Sequence, residues 1–338
     1  MKILVTGGTG YIGSHTAVEL QNSGYEVIVI DNLCNSNADV IDRVADISGK
    51  KPEFEKIDLC DREGLQKFFG KNSDIKAVIH FAALKAVGES VQNPLLYYRN
   101  NISGMINLLD EMLKCGVDKI VYSSSCTVYG EADALPVTED SPIKKAESPY
   151  GFTKQAGEQM LFDTARVNDF KSCILRYFNP TGAHDSALIG ELPIGVPNNL
   201  VPYITQTAAG IRETLTVNGN DYDTPDGTNI RDYIHVTDLA KAHVIALERM
   251  LNGKNIEKTE VFNLGTGRGN SVMEVINAFE KVTGLKIKYR IGPRRQGDVV
   301  SIYSDTGKAN QILGWKAERD LDNMMLTAWK WQKHISEL

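Results

Sequence analysis

Residues Gly7-Gly8-Thr9-Gly10-Tyr11-Ile12-Gly13 follow a short apolar run, Ile3–Thr6, and lead into a segment of helical periodicity, Tyr11–Ser23. The segment satisfies G-x-x-G-x-x-G through Gly7, Gly10 and Gly13, and G-x-G-x-x-G through Gly8, Gly10 and Gly13. Glycines there permit a tight turn, let backbone approach a pyrophosphate, and let the helix pack close to the strand. A helix N-terminus offers free N–H groups and partial positive charge to phosphates. A second apolar run, Val27–Ile30, ends in Asp31, 18 residues beyond Gly13. A carboxylate there accepts from an adenosine ribose 2′-hydroxyl and repels a 2′-phosphate, which favours NAD over NADP.

The alternation continues. Further β-branched runs at Phe54–Ile57, Ala77–Phe81, Lys119–Ser123 and Ser172–Tyr177 are separated by helical patterns at Leu65–Phe69, Asn101–Lys114 and Pro149–Val167. Strands alternating with helices imply βαβ units, and nearly continuous apolar strands imply burial on both faces. The expected fold class is α/β, a doubly wound parallel sheet of Rossmann type. After about residue 180 the texture changes. Residues 180–200 and 219–232 are rich in Pro, Gly and Asn and read as loops, with helical patterns resuming at Val236–Leu251, Ser271–Thr283 and Asp320–His334. Two domains are expected: a dinucleotide-binding domain over residues 1–180 and a smaller α+β substrate domain over residues 181–338.

Composition excludes several other classes. Of 338 residues, 42% are hydrophobic and 24% charged, which is globular rather than disordered usage. A net charge of −6 argues against a nucleic-acid partner. No apolar run reaches membrane-spanning length, and the N-terminus reads as a strand rather than a signal peptide. The five cysteines are scattered without a C-x-x-C pair, as expected of reduced thiols in a cytoplasmic protein. The six histidines lack metal-ligand spacing, so no metal site is expected.

Tyr150 and Lys154 stand four apart on a predicted helix, hence on one face. An ammonium beside a phenol favours the phenolate and is expected to lower the tyrosine pKa, suiting Tyr150 to general-base work. Ser123-Ser124-Ser125 lie directly after a parallel strand, at the end where ligands bind. Ser125 is placed to bridge Tyr150 and a substrate hydroxyl.

With these motifs in hand, the chain resembles the extended short-chain dehydrogenase/reductases, and within them the epimerase group, almost end to end. The likeness runs through Gly7–His15, Asp31–Ser36, Val78–Ser90, the serine and tyrosine motifs, Leu175–Pro180, Pro197–Leu200, Gly227–His235 and Arg294-Arg295-Gln296-Gly297-Asp298. It implies interconversion of UDP-galactose and UDP-glucose at C4, as in galactose metabolism, with NAD bound throughout. Tyr150 would take the 4-hydroxyl proton, Ser125 would bond the same oxygen, and Lys154 would hold the nicotinamide ribose and depress the Tyr150 pKa. The implied NAD contacts are Gly7, Gly10, Tyr11, Ile12, Gly13, Asp31, Asn32, Asn35, Ser36, Asp58, Leu59, Phe81, Ala82, Lys85, Asn100, Ser123, Tyr150, Lys154 and Phe178. Asn179, Asn199 and Leu200 would meet sugar and nucleotide, Arg231 and Arg295 the diphosphate, and Asp298 the uridine ribose. A homodimer through Asn101–Lys114 and Pro149–Val167 is also implied.

Two positions depart from the group's pattern. Asn218 stands where phenylalanine often lies beside the uracil. Ile302 stands at the sugar-pocket wall, where tyrosine tends to exclude N-acetylated sugars and cysteine tends to admit them. A nucleotide-sugar 4,6-dehydratase shares the fold, but typically places Asp-Glu after the catalytic Ser or Thr. Here Cys126 and Thr127 follow Ser125, and neither suits water elimination.

Overall fold

The β-branched runs become strands and the periodic segments become helices, alternating through the first half except for successive helices between the fourth and fifth strands. The computed structural model describes residues 1–295 and 298–337; Gln296 and Gly297 of the arginine motif lie outside the described residues. In chain order the first elements are β1 (Lys2–Thr6), α1 (Tyr11–Asn22), β2 (Glu26–Asp31), α2 (Val40–Ser48), β3 (Glu53–Lys56), α3 (Arg62–Lys71) and β4 (Ile75–His80). Next come α4 (Val87–Gln92), α5 (Pro94–Tyr97), α6 (Gly104–Lys114), β5 (Lys119–Ser123), α7 (Pro149–Val167), β6 (Lys171–Tyr177) and β7 (Asn179–Thr181). Then follow α8 (Leu200–Ala208), β8 (Leu215–Asn218), β9 (Ile230–His235), α9 (Val236–Leu251), β10 (Thr259–Leu264) and β11 (Gly269–Ser271). The chain closes with α10 (Val272–Thr283), β12 (Tyr289–Gly292), β13 (Ser301–Ile302) and α11 (Leu321–Ser336).

The first compact unit comprises residues 1–130, 142–177 and 240–262. Its seven-stranded sheet has the order β10-β6-β5-β4-β1-β2-β3, with parallel pairing from β3 across to β6. The order reverses after β1, and ligands of such sheets bind beyond the strands' carboxyl ends at that reversal. Ile3, Leu4 and Val5 of β1 are fully buried, as a central strand covered on both faces requires. Helices close the faces through Leu65, Phe68, Leu108, Met112 and Leu161. Each such side chain contributes about 1.5–3 kcal/mol on burial.

The second unit comprises residues 131–141, 178–239 and 263–337. In it β9 pairs with β7, β11 and β13, while β12 pairs in parallel with β8. Val201, Ile204, Phe279, Met324 and Met325 pack the core between α8, α10 and α11.

The units are not separated by a single cut at residue 180. Residues 240–262 belong to the first unit because β10 extends its sheet beside β6. Residues 131–141 belong to the second, where Val137 bridges Ser304. Two expected loops are partly ordered: β7 opens the stretch 180–200, and β9 begins at Ile230 inside 219–232. The helix expected over Asn101–Lys114 starts as a π turn, Tyr98–Ser103, before turning α-helical at Gly104.

Candidate active site

The turn after β1 is as tight as its glycines predict. Gly7 has φ +71°, and a Cβ on Gly13 would lie 2.3 Å from the Gly7 carbonyl oxygen. Helix α1 therefore starts within a few ångströms of β1, with Gly10 as its N-cap and the amides of Tyr11, Ile12 and Gly13 in its first turn. Those amides are helix-end donors. Asp31 closes β2 and is buried. Its carboxylate accepts from Leu33 N at 2.9 Å, Ser36 Oγ at 3.2 Å and Thr9 N at 3.3 Å. A carboxylate offers about four lone-pair sites, so one acceptor site remains for a ribose hydroxyl. Asn32 Nδ2 donates to Asp58 at 3.0 Å, tying the ends of β2 and β3 together. Leu59 is largely core, and its carbonyl accepts from Asn107. Glycine cradle, anchored Asp31 and bare helix start fit an NAD pyrophosphate and adenosine ribose.

Phe81 and Ala82 follow β4; the Phe81 ring lies 4.6 Å from His243, and Ala82 N donates to Thr6 Oγ1 at 3.4 Å. Asn100 donates at 2.9 Å to Asn101, a buried side chain that sequence reading missed. Asn101 accepts from Leu84 N and donates to Leu84 O and Thr153 Oγ1. It thus fastens the loop carrying Lys85 to helix α7. Asn35 is exposed in the loop after β2, next to Ser36, whose hydroxyl also pairs with Thr9.

Helix α7 begins where local chemistry dictates. Ser148 caps it, accepting from Gly151 N at 3.1 Å, and Pro149 occupies the first helical position. The start places Tyr150 and Lys154 one turn apart on the face toward β5. Lys154 is buried, and its Nζ donates to the Ser123 carbonyl at 2.6 Å. It stands 5.1 Å from the Tyr122 ring centroid and 5.9 Å from that of Tyr150. Burial lowers the Lys154 pKa to about 8, against the raising influence of Glu158. Ser125 caps the 3₁₀ turn Cys126–Tyr129 and hydrogen-bonds Tyr150. Cys126 is buried, as expected of a small filler.

The expected depression of the Tyr150 pKa is corrected here. Burial pushes the phenol well above its ordinary value, Tyr177 adds to the rise, and the Ser125 hydrogen bond works the other way. Spacing placed the ammonium near the ring, but desolvation of the phenolate outweighs it. Tyr177 pairs with Ser123 and is itself raised by burial to about 12. His80, bonded to Thr6 at 2.7 Å and stacked on Tyr122, is held neutral by burial, its pKa near 3.

In the second unit the two arginines of interest share one carboxylate. Arg295 engages Asp298 through Nε at 3.1 Å and Nη2 at 2.7 Å, and Arg231 Nη2 lies 3.7 Å from the same group. Ile302 is buried and stands directly opposite Arg231 in the β13–β9 register. Asn179 opens β7 opposite Tyr233, and Phe178 before it is buried. Asn199 donates to Glu191 at 2.6 Å immediately before Leu200 opens α8. Asn218 ends β8 opposite Gly292. Among the described residues no cluster of metal-ligating side chains occurs, and no helix is long and apolar enough to cross a membrane.

The chain is similar to proteins of known family. Residues 3–265 match the NAD dependent epimerase/dehydratase family. The chain is 54% identical to the UDP-glucose 4-epimerase of Bacillus subtilis, covering 98% of this chain and 97% of that relative. The crystal structure of UDP-glucose 4-epimerase from Stenotrophomonas maltophila, with bound NAD and formylated UDP-arabinopyranose, superposes with a TM-score of 0.96 at 50% identity, covering 100% and 99% of the two chains. The Bifidobacterium longum UDP-glucose 4-epimerase, in complex with NAD⁺ and UDP, gives 0.94 at 47% identity, covering 99% and 98%. The chain belongs to the NAD-dependent epimerase/dehydratase family.

Proposed function

We propose that the protein interconverts UDP-galactose and UDP-glucose at C4 through a transient 4-keto sugar, using NAD that stays bound. The observation that carries this reading is the grouping of Ser125, Tyr150 and Lys154 at the end of β5, beside a glycine cradle and Asp31 suited to NAD. NAD, when bound, supplies a two-electron acceptor that takes the hydrogen from C4 and gives it back.

The protein supplies position and charge. Tyr150 Oη takes the proton of the 4-hydroxyl and later returns it. Its burial makes the free phenolate costly, so proton removal depends on the groups that offset burial. These are the Ser125 hydroxyl, bonded to Tyr150, and the Lys154 ammonium near its ring. Ser125 also bonds the sugar oxygen as its charge changes. Asp31 holds the adenosine ribose, with Asn32, Asn35, Ser36, Asp58 and Leu59 around the adenosine. Phe81, Ala82, Lys85, Asn100 and Phe178 line the rest of the dinucleotide. Arg231 and Arg295 grip the diphosphate as guanidinium forks, releasing Asp298 to the uridine ribose. Asn179, Asn199, Leu200 and Asn218 serve sugar and nucleotide, and Ile302 forms a wall beside the sugar.

A homodimer is part of the same reading. Its support is a run of exposed apolar side chains on α5 to α7, including Leu95 at 71% and Phe152 at 47% exposure. Sedimentation should give about twice the 37.3 kDa chain mass. A cytoplasmic setting is supported by five scattered cysteines without a C-x-x-C pair.

The test of the reaction is an NMR time course of the anomeric protons of UDP-galactose without added NAD. UDP-glucose should appear and settle to one ratio from either direction. Silence, persisting after NAD is added, would sink the UDP-hexose assignment.

A further inference from the structure

Behind the catalytic groups lies a closed polar network that the reaction scheme does not use. Glu158 sits one turn after Lys154 on α7, and Arg176 lies on β6; both side chains are 3% exposed. They meet as a two-pronged pair, Nε to Oε1 at 2.9 Å and Nη2 to Oε2 at 2.6 Å. The same Oε1 accepts from Ser124 Oγ at 2.5 Å. Arg176 Nη1 donates to the Tyr129 hydroxyl at 3.1 Å and lies over the Tyr129 ring, 5.0 Å from its centroid. Tyr129 closes the 3₁₀ turn that Ser125 opens. Glu158, directly to Ser124 and through Arg176 to Tyr129, therefore joins the helix bearing Tyr150 and Lys154 to both flanks of Ser125. An apolar pair of the same volume would serve stability as well or better, because burying two charges costs nearly what their attraction returns. The pair accordingly calls for a reason other than stability.

We propose that Glu158 and Arg176 are positioning residues for catalysis: together they fix Ser125 through Ser124 and Tyr129, and Glu158 maintains the charge of Lys154. The geometry is specific to this purpose. Lys154 makes its described hydrogen bond to a neutral carbonyl, so the charge one helical turn away is its nearest electrostatic support on α7. The other groups facing Lys154 are His80 on β4, Tyr122 on β5 and Tyr150 on α7. His80 is neutral and the tyrosines are protonated near pH 7, so none replaces the carboxylate. Arg176 then limits the carboxylate's reach and sets the net charge of the network.

The proposal rests on the 4-epimerase reading for its kinetic arm only. In Glu158→Gln the shape persists, one negative charge goes, and Arg176 is left unbalanced. kcat should fall on the order of tenfold to a hundredfold, as for a small displacement of reacting groups, with KM changed less than threefold. The basic limb of the kcat–pH profile should move down by about one unit, because Lys154 loses its proton more readily. In Glu158→Gln/Arg176→Gln, which removes both charges and guards against misfolding of the single variant, kcat should stay low. The basic limb should stay below the wild-type position, because the carboxylate that supports Lys154 is still missing.

An independent arm needs no turnover. In protein labelled at lysine ¹³Cε, with Lys154→Met assigning the resonance, the ligand-free Lys154 titration should move down in Glu158→Gln and stay down in the double variant. Folded variants with wild-type kcat and an unmoved Lys154 titration would overturn the proposal. A wild-type protein inert toward UDP-hexoses would instead sink the functional reading, leaving the titration to decide this one.

Discussion

One charge cluster in each unit is built in a different way. In the first, Glu158 and Arg176 are buried, joined by two short bonds and tied to Ser124 and Tyr129. In the second, Arg295 is 58% exposed, and it shares the Asp298 carboxylate with Arg231. A buried, fully bonded pair cannot exchange partners without leaving a bare charge, whereas an exposed guanidinium such as Arg295 is held weakly and exchanges readily. The first pattern suits groups that must not move while a proton is transferred. The second suits groups that must let go of one anion to take another. Chemistry and binding are thus separable in this chain, and substitutions should divide into those that lower kcat and those that raise KM.

The largest effect is expected at Tyr150. Tyr150→Phe should fold and retain NAD while kcat falls on the order of a hundredfold to ten-thousandfold, the range for a lost general acid–base group. Turnover at the wild-type rate would remove Tyr150 from that role. Arg295→Met probes the other side of the comparison. KM for UDP-glucose should rise about tenfold to a hundredfold, the worth of a charge-assisted hydrogen bond, with kcat within threefold. A fall in kcat at constant KM would break the division between the units.

The third expectation concerns stability. His80 is held at a pKa near 3 when folded, against 6.5 unfolded, so between those values the unfolded chain binds the extra proton. Stability is full above 6.5 and is lost as pH falls through that window, by about 2 kcal/mol between pH 7 and pH 5 for this one group. Urea melts of His80→Asn should show a correspondingly smaller acid loss, the remainder coming from groups such as His235, whose pKa burial lowers to about 4. An unchanged loss would mean that His80 is already protonated at pH 5. The smallest effect is expected at Ile302, buried opposite Arg231. Ile302→Cys should raise kcat/KM for UDP-N-acetylglucosamine by about tenfold, the worth of a small change in apolar bulk. Equal values for both proteins would show that this wall does not gate the sugar.

Local chemistry made much of the first unit legible. The turn Gly7–Gly13 and the start of α7 at Ser148-Pro149 follow from capping and glycine geometry within a few residues. What stayed hidden depends on long-range packing. β10 joins the first sheet from far along the chain, and no local pattern announces its neighbour β6. Glu158 is visible as one turn after Lys154, but its partner Arg176 is 18 residues on and meets it only once β6 is in place. The direction of the Tyr150 shift escaped for the same reason: spacing reports the nearby ammonium, whereas burial of the ring is a property of the folded site. In the second unit, motif resemblance located Arg231, Arg295 and Asp298, yet their mutual pairing appears only in three dimensions.

In the proposed reaction the C4 hydrogen leaves the sugar and returns as itself, while Tyr150 moves only the hydroxyl proton. Conversion of UDP-galactose in D₂O, with C4 of the product read by NMR, tests it most directly. UDP-glucose should carry protium at C4 at every stage of the reaction. Deuterium at C4 would mean exchange with solvent, and would contradict it.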